Sequence, residues 1–266
     1  MKIGFIGVGN MGKALINGLM PILMGRNEYL IDIIAFDIDS KKIPKKIKYV
    51  DSMEELVLES DIIYLAIKPD VFNNILPKIA KIIDFRSDKI FISIAAGISI
   101  SYLEKKLGKD KKIVRMMPNL PVTVGEGMIG VSFNEQISNN EKNIILNLVG
   151  NSGSVLEVNE SLMDIVVGIS GSSPAYVFKF IKALINEAKK YGMDEKLAKN
   201  FACQAVMGSA IYASFEDDLD KLIKNVCSKG GTTEQAVFSL DNDDFENTVQ
   251  KAVREAVEKS KEITKE

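Results

Sequence analysis

The sequence predicts an α/β amino-terminal half, built as a doubly wound parallel sheet, followed by an all-α carboxyl-terminal half. Three observations predict it. Short apolar runs alternate with amphipathic segments from Lys2 to about Val158, the pattern of strands buried on both faces and of the helices that cover them. Gly7, Gly9 and Gly12 stand at G-x-G-x-x-G spacing directly after the first apolar run. From Asn159 onward no run reads as a strand and the periodicity is helical. The expected domains are therefore 1–158, dinucleotide-binding, and 159–266, helical.

Composition narrows the function. The chain has 266 residues, 46% hydrophobic and 26% charged, ordinary values for a globular protein. Its net charge of −2 supplies no basic field, so a nucleic-acid partner is not expected. No apolar run reaches membrane-spanning length. Met1-Lys2 leads straight into the first apolar run, so no leader is expected and a cytoplasmic protein is. Cys203 and Cys227 are too few for a disulfide framework and lack metal spacing. With no histidine at all, histidine-dependent triads and histidine metal sites are excluded, and no metal is expected. Proton chemistry must use Lys, Asp or Glu, Tyr, Ser or Thr, Cys or water.

Lys2–Ile6 is the first strand and Lys13–Met24 the helix after it. The turn between them is Ile6-Gly7-Val8-Gly9-Asn10-Met11-Gly12. Its first glycine makes the tight turn, the second admits a pyrophosphate to the backbone, and the third lets helix and strand pack closely. The free N–H groups and dipole at the helix start favour the phosphate charge. Leu30–Phe36 is the second strand, and Asp37 follows where a ribose-binding acid falls in this fold. Asp37 would repel a 2′-phosphate; Ser40, Lys41 and Lys42 could hold one, or could be a solvated turn.

Ser52 is the expected cap of a helix that begins at Met53, with Glu55 at its third position. Asp61–Ile67 is a buried strand ending in Lys68-Pro69-Asp70, and Val71–Ile83 the next helix. Strand carboxyl ends line the ligand crevice of such sheets, which places Lys68 to face a cofactor or an anionic substrate, or simply to lie at the surface. Lys89–Ile94 is a strand running into Ala95-Ala96-Gly97. Those small residues admit a flat ring such as nicotinamide, or tight helix packing. Ser99–Leu107 is a helix, Lys112–Met116 a strand, and Met117–Pro121 a stiff loop. Gly127–Phe133 and Ser154–Val158 are strands around a helix at Asn140–Val149.

In the distal half, Gly168–Tyr176 is a glycine–serine loop in which Ser173 caps a helix, Ala175–Tyr191. Helices follow at Asp194–Phe215, Asp218–Val226, Glu234–Leu240 and Phe245–Lys265. Ser228-Lys229-Gly230-Gly231-Thr232-Thr233 interrupts them. Two glycines flanked by hydroxyls at a helix start form either an anion site, suited to a small carboxylate, or a capped interhelical turn. Lys182-x-x-x-Asn186 resembles a pair found in β-hydroxyacid dehydrogenases, but Val177 stands where their lysine falls, so Lys182 and Asn186 read as an ordinary helix face.

Across nearly its whole length the chain resembles the pyrroline-5-carboxylate reductases. The resemblance rests on the glycine turn, Ala66-Ile67-Lys68-Pro69, Ser93-Ile94-Ala95-Ala96-Gly97-Ile98, Arg115-Met116-Met117-Pro118-Asn119, Gly168–Tyr176 and Ser228–Thr233. Lys229 departs from the usual proline and Met53 from a common polar residue. The resemblance implies an oxidoreductase of proline biosynthesis that reduces 1-pyrroline-5-carboxylate to L-proline with hydride from NADPH or NADH. It implies cofactor contacts at Ile6–Gly12, Asp37, Ser40, Lys41, Ala66–Pro69 and Ile94–Gly97. It implies that Ser228, Gly230, Gly231, Thr232 and Thr233 hold the substrate carboxylate, with Thr233 or a water relaying the proton. It also implies a homodimer or a ring of dimers with interlocked helical domains. A β-hydroxyacid-type dehydrogenase and a non-catalytic nucleotide-binding protein are the alternatives.

Overall fold

The computed structural model describes residues 1–24, 31–83 and 88–264. Among them the chain runs β1 (Lys2–Ile6), α1 (Asn10–Met24), β2 (Asp32–Phe36), β3 (Lys48–Tyr49), α2 (Met53–Glu59), β4 (Ile62–Leu65), α3 (Phe72–Ile82), β5 (Ile90–Ser93), α4 (Ile100–Leu107), β6 (Lys112–Pro118), β7 (Gly127–Phe133), α5 (Asn139–Gly150) and β8 (Gly153–Glu157). It continues α6 (Met163–Val166), α7 (Ser173–Lys190), α8 (Glu195–Ala213), α9 (Leu219–Val226), α10 (Thr232–Asn242) and α11 (Phe245–Ile263). Leu30 and Lys265, where an expected strand starts and an expected helix ends, lie outside the described residues.

The strands form one sheet in the order β3-β2-β1-β4-β5-β6-β7-β8. From β3 through β6 every pairing is parallel. The strand order reverses at β1, which lies between β2 and β4, and such a reversal opens a ligand crevice at the strands' carboxyl ends. β7 runs antiparallel to β6, and β8 is parallel to β7. The link from β6 to β7 is too short for a crossover helix, and a short link can join only antiparallel neighbours.

Alternation along the strands separates two cores. Ile3, Phe5, Ile33, Ala35, Ile62, Tyr64, Ile90, Ile92, Val114 and Met116 face α1 and α5. Ile34, Ile63, Leu65, Phe91 and Ile113 face α2, α3 and α4. Burial on both sides is why these strands read as continuous apolar runs. The two-residue β3 is exposed at both positions and carries no such signal.

Contacts divide the chain into two compact units, Met1–Ser172 with Glu255–Glu266, and Ser173–Arg254. This division falls elsewhere than the expected 158/159 line, because residues after 159 pack on the sheet: a Cβ on Gly130 would lie 3.0 Å from Val166, and one on Gly171 would lie 2.7 Å from Met117. The segment expected as a glycine–serine loop is helical instead. Val167–Gly171 forms a π-helical turn that leads into α7, which starts at Ser173 itself. In the second unit α7, α9 and α10 bury no residue and α8 buries only Ala198 and Ala202. Phe178, Phe180, Phe201 and Phe215 are all exposed there. No described helix is long and apolar enough to cross a membrane.

Candidate active site

The first candidate site is the crevice at the carboxyl ends of β1 and β4. The Gly7 N–H donates to the Phe36 carbonyl at 2.8 Å and the Ala66 N–H to the Ile6 carbonyl at 2.9 Å, so β2 and β4 clamp the turn from both sides. Gly7 has a φ of +93°, and a Cβ there would lie 2.5 Å from the Ala66 carbonyl oxygen. Only glycine fits that backbone and that gap. A Cβ on Gly12 would lie 2.8 Å from the Gly7 carbonyl oxygen, which shows how closely α1 approaches the turn. Gly9 differs: nothing lies within 4 Å of where its Cβ would be. Gly9 is exposed, so the backbone at the start of α1 is open to approach from solvent.

Asp37 ends β2 beside this turn and is buried. Its carboxylate accepts the Val8 N–H at 2.7 Å and the Asp39 N–H at 2.9 Å, and the Lys42 ammonium lies 3.7 Å away. The aspartate read as a ribose contact thus also braces the glycine turn. Ser40 and Lys41 are exposed in the 3₁₀ turn that Asp39 caps. Of the two lysines weighed from the sequence, Lys42 is the one that approaches Asp37. Lys68 is exposed and precedes the 3₁₀ turn Pro69–Val71. Met53 opens α2 behind the Ser52 cap, whose hydroxyl accepts the Glu55 N–H at 3.0 Å. Within the core below, Tyr64 stacks on Phe5 at 4.5 Å, and burial pushes its phenol well above the ordinary value. Tyr64 is therefore a packing residue of the core.

The loop after β5 carries Ile94, Ala95, Ala96 and Gly97 on the same rim. Its far end is tied by Glu160, whose Oε1 accepts the Ile100 N–H at 2.7 Å and the Arg115 guanidinium at 3.0 Å. Asn119, at the end of β6, accepts the Met128 N–H at 2.9 Å and donates to the Ser170 carbonyl at 3.3 Å. Arg115 and Asn119 belong to a motif quoted above without a role, and Glu160 carries no local sequence signal. Their partners lie far along the chain.

The second candidate site is the Ser228–Thr233 loop of the other unit, which leads into α10. Two of its backbone donors have partners within the loop and helix start. The Gly230 N–H donates to the Glu234 carboxylate at 2.7 Å, and the Gly231 N–H to the Ser228 carbonyl at 2.8 Å. The two glycine donors are thus used inside the loop. Glu234 stands at the third position of the helix and reaches back over its start, which shows that a carboxylate sits well there. The first intrahelical bond is donated by Gln235 to Gly231, so the N–H groups of Thr232, Thr233 and Glu234 precede the helix's own hydrogen-bond ladder. A Cβ on Gly231 would lie 2.4 Å from the Ser228 hydroxyl, so this glycine is required by its own loop. Lys182 and Asn186 lie on an exposed face of α7. No group of metal-ligating side chains occurs among the described residues.

Comparison with known proteins adds an independent line. Residues 160–263 match the family described as pyrroline-5-carboxylate reductase dimerisation, and residues 2–97 match NADP oxidoreductase, coenzyme F420-dependent. The pyrroline-5-carboxylate reductase of Escherichia coli K12 is 37% identical over 99% of this chain and 98% of its own. That of Methanosarcina acetivorans is 35% identical over 99% and 98%. The crystal structure of Plasmodium falciparum pyrroline carboxylate reductase with NADP bound superposes with a TM-score of 0.91, at 34% identity, over 100% of this chain and 98% of that one.

Proposed function

Since this chain belongs to the pyrroline-5-carboxylate reductase family, we propose from that premise how its residues divide the work. The enzyme is an NAD(P)H-dependent oxidoreductase that reduces 1-pyrroline-5-carboxylate to L-proline in proline biosynthesis. Bound in the crevice, NAD(P)H supplies the hydride. Ile6–Gly12 receive the pyrophosphate, with Gly9 leaving the room it needs. Asp37, Ser40 and Lys41 face the adenosine ribose, while Ala66–Pro69 and Ile94–Gly97 line the nicotinamide side. The observation that carries this assignment is the glycine turn, packed tight at Gly7 and Gly12 and open at Gly9, set at the point where the strand order reverses.

Thr232 and Thr233 hold the substrate carboxylate through backbone N–H groups, helped by the hydroxyls of Ser228 and Thr233 and by the helix dipole. Gly230 and Gly231 shape that loop. A protonated imine is already electrophilic, so the residues mainly orient it and exclude water. Thr233 or a water it holds relays the proton, as suits a chain with no histidine. We take 1–158 as the dinucleotide-binding domain and 159–266 as the helical substrate-binding and dimerisation domain. The exposed phenylalanines of the second unit support an oligomer, a homodimer or a ring of dimers, and a cytoplasmic location completes the reading.

The test is NAD(P)H oxidation with 1-pyrroline-5-carboxylate, with 3-hydroxyisobutyrate and 6-phosphogluconate as controls. Turnover of the imine alone is expected. Turnover of a hydroxyacid alone would replace this reading with a β-hydroxyacid-type dehydrogenase.

A further inference from the structure

The last turn of α11 ends on the loop after β5. Gly97 has a φ of +71°, and a Cβ there would lie 2.7 Å from the Ile263 carbonyl oxygen and 2.8 Å from the Ile263 side chain. The helix end is fastened where it makes this approach. Ser260, 2% exposed, donates its hydroxyl to the Asp164 carboxylate at 2.6 Å. The Thr264 hydroxyl donates to the Ser260 carbonyl at 2.9 Å. Asp164 is four residues past Glu160, which ties the other end of the same loop at Ile100. The segment 94–99 is thus held at its middle by Ile263 and at its end by Glu160, and α11 passes from the second compact unit into the first to reach it.

We propose that the end of α11 is a positioning element for the cofactor, with Ser260 and Ile263 setting how far Ala95–Gly97 stand into the crevice. The inference rests on the reading of that loop as the nicotinamide side. A backbone in the left-handed region, pressed by a helix end, has one seat, and a ring packed on it inherits that seat. Loosening the helix end then costs the nicotinamide half of the cofactor and spares the adenosine half.

The experiment compares Ser260→Ala and Ile263→Ala with the parent enzyme, titrating NADPH and 2′-phospho-ADP-ribose, which has no nicotinamide. We expect NADPH to bind about three- to tenfold more weakly, since only part of the loosening at the helix end reaches the cofactor, with kcat reduced and 2′-phospho-ADP-ribose unchanged. Equal weakening of both ligands, or of neither, would overturn the proposal and leave the helix end a stability feature only. Should Ile263→Ala fail to fold, Ile263→Val and Ser260→Ala read the same ratio. Ala96→Leu separates the proposal from its premise. If that side chain leaves NADPH binding untouched, the loop does not face nicotinamide; if it weakens NADPH while the helix-end variants do not, the premise stands and the proposal falls.

Discussion

The Asp37 carboxylate accepts the backbone N–H of Val8 at 2.7 Å, joining the end of β2 to the middle of the glycine turn. A charge-assisted bond to a buried N–H does more than mark a ribose site. It fixes the backbone of the turn from the end of the neighbouring strand.

Asp37→Ser therefore has two expected effects. Removing the charge raises the ratio of NADPH to NADH efficiency. Leaving the Val8 N–H without its partner also weakens both cofactors and costs about 1–3 kcal/mol of stability, a fall of several degrees in Tm. Thermal unfolding and cofactor titration of the same variant check this. A changed ratio with an unchanged Tm would mean that the carboxylate serves the ribose and not the turn.

The two flanking glycines respond differently. A Cβ at Gly9 meets nothing within 4 Å, so the Tm of Gly9→Val should change little while the cofactor KM rises about tenfold or more. Gly7→Ala must push against the Ala66 carbonyl in a left-handed backbone and should cost about 1–3 kcal/mol. Melting curves of the pair, read beside cofactor KM, decide it. A Gly9→Val enzyme with normal cofactor KM would remove the pyrophosphate from this turn.

Thr233→Ala should lower kcat/KM for the imine about ten- to a hundredfold, the scale of a lost hydrogen bond to a charged group. Cofactor affinity should stay put. Gly231→Val should be worse, because its side chain collides with the Ser228 hydroxyl and distorts the loop from within. If Thr233→Ala instead loses NAD(P)H affinity and keeps that for proline, the loop belongs to the cofactor.

A pH test is available at the start of α5. Ser138 and Glu141 form a capping box, and Lys112 donates to Glu141 at 2.6 Å and also to Asp88. Partial burial pushes the Glu141 carboxyl up, but hydrogen bonds from Lys112 and Ser138 outweigh it and leave the group below its ordinary value. A depressed carboxylate adds stability that is fully present above its unfolded pKa of about 4.5 and is lost as pH falls through the lower folded value. Glu141→Gln should thus lower Tm by about 2–4 °C at pH 7, for a loss of about 1 kcal/mol. The gap should narrow as pH falls below about 4.5 and close once the folded carboxyl is protonated too. A gap that persists in acid would assign the loss to packing.

The Ser52 cap was readable, with Glu55 three residues on in one stretch of chain; the Ser138–Glu141 box has the same spacing, but the expected helix behind it begins only at Asn140. The glycine turn and the buried strands were equally plain. A strand covered on both faces must be apolar throughout, and a turn that admits a pyrophosphate must lack side chains, so both requirements are written into neighbouring residues. The same holds for α10, whose start follows Gly230-Gly231.

Other features had no local signature. The π-helical turn Val167–Gly171 looked like a loop because glycine and serine favour loops when nothing packs on them; here Met117 and Asn119 do. The antiparallel direction of β7 depended on which strand lay beside β6, not on its own residues. By itself, the sequence determined the layered α/β half, its glycine turn, the helical half and the family they belong to. Tertiary structure alone decided that Asp37 holds Val8, that Glu234 occupies the Gly230 N–H and that Ile263 seats Gly97. The physical reason is one of range. Periodicity, caps and turn residues act over a few positions, whereas a carboxylate or a helix end finds its partner only after the sheet has brought distant segments together.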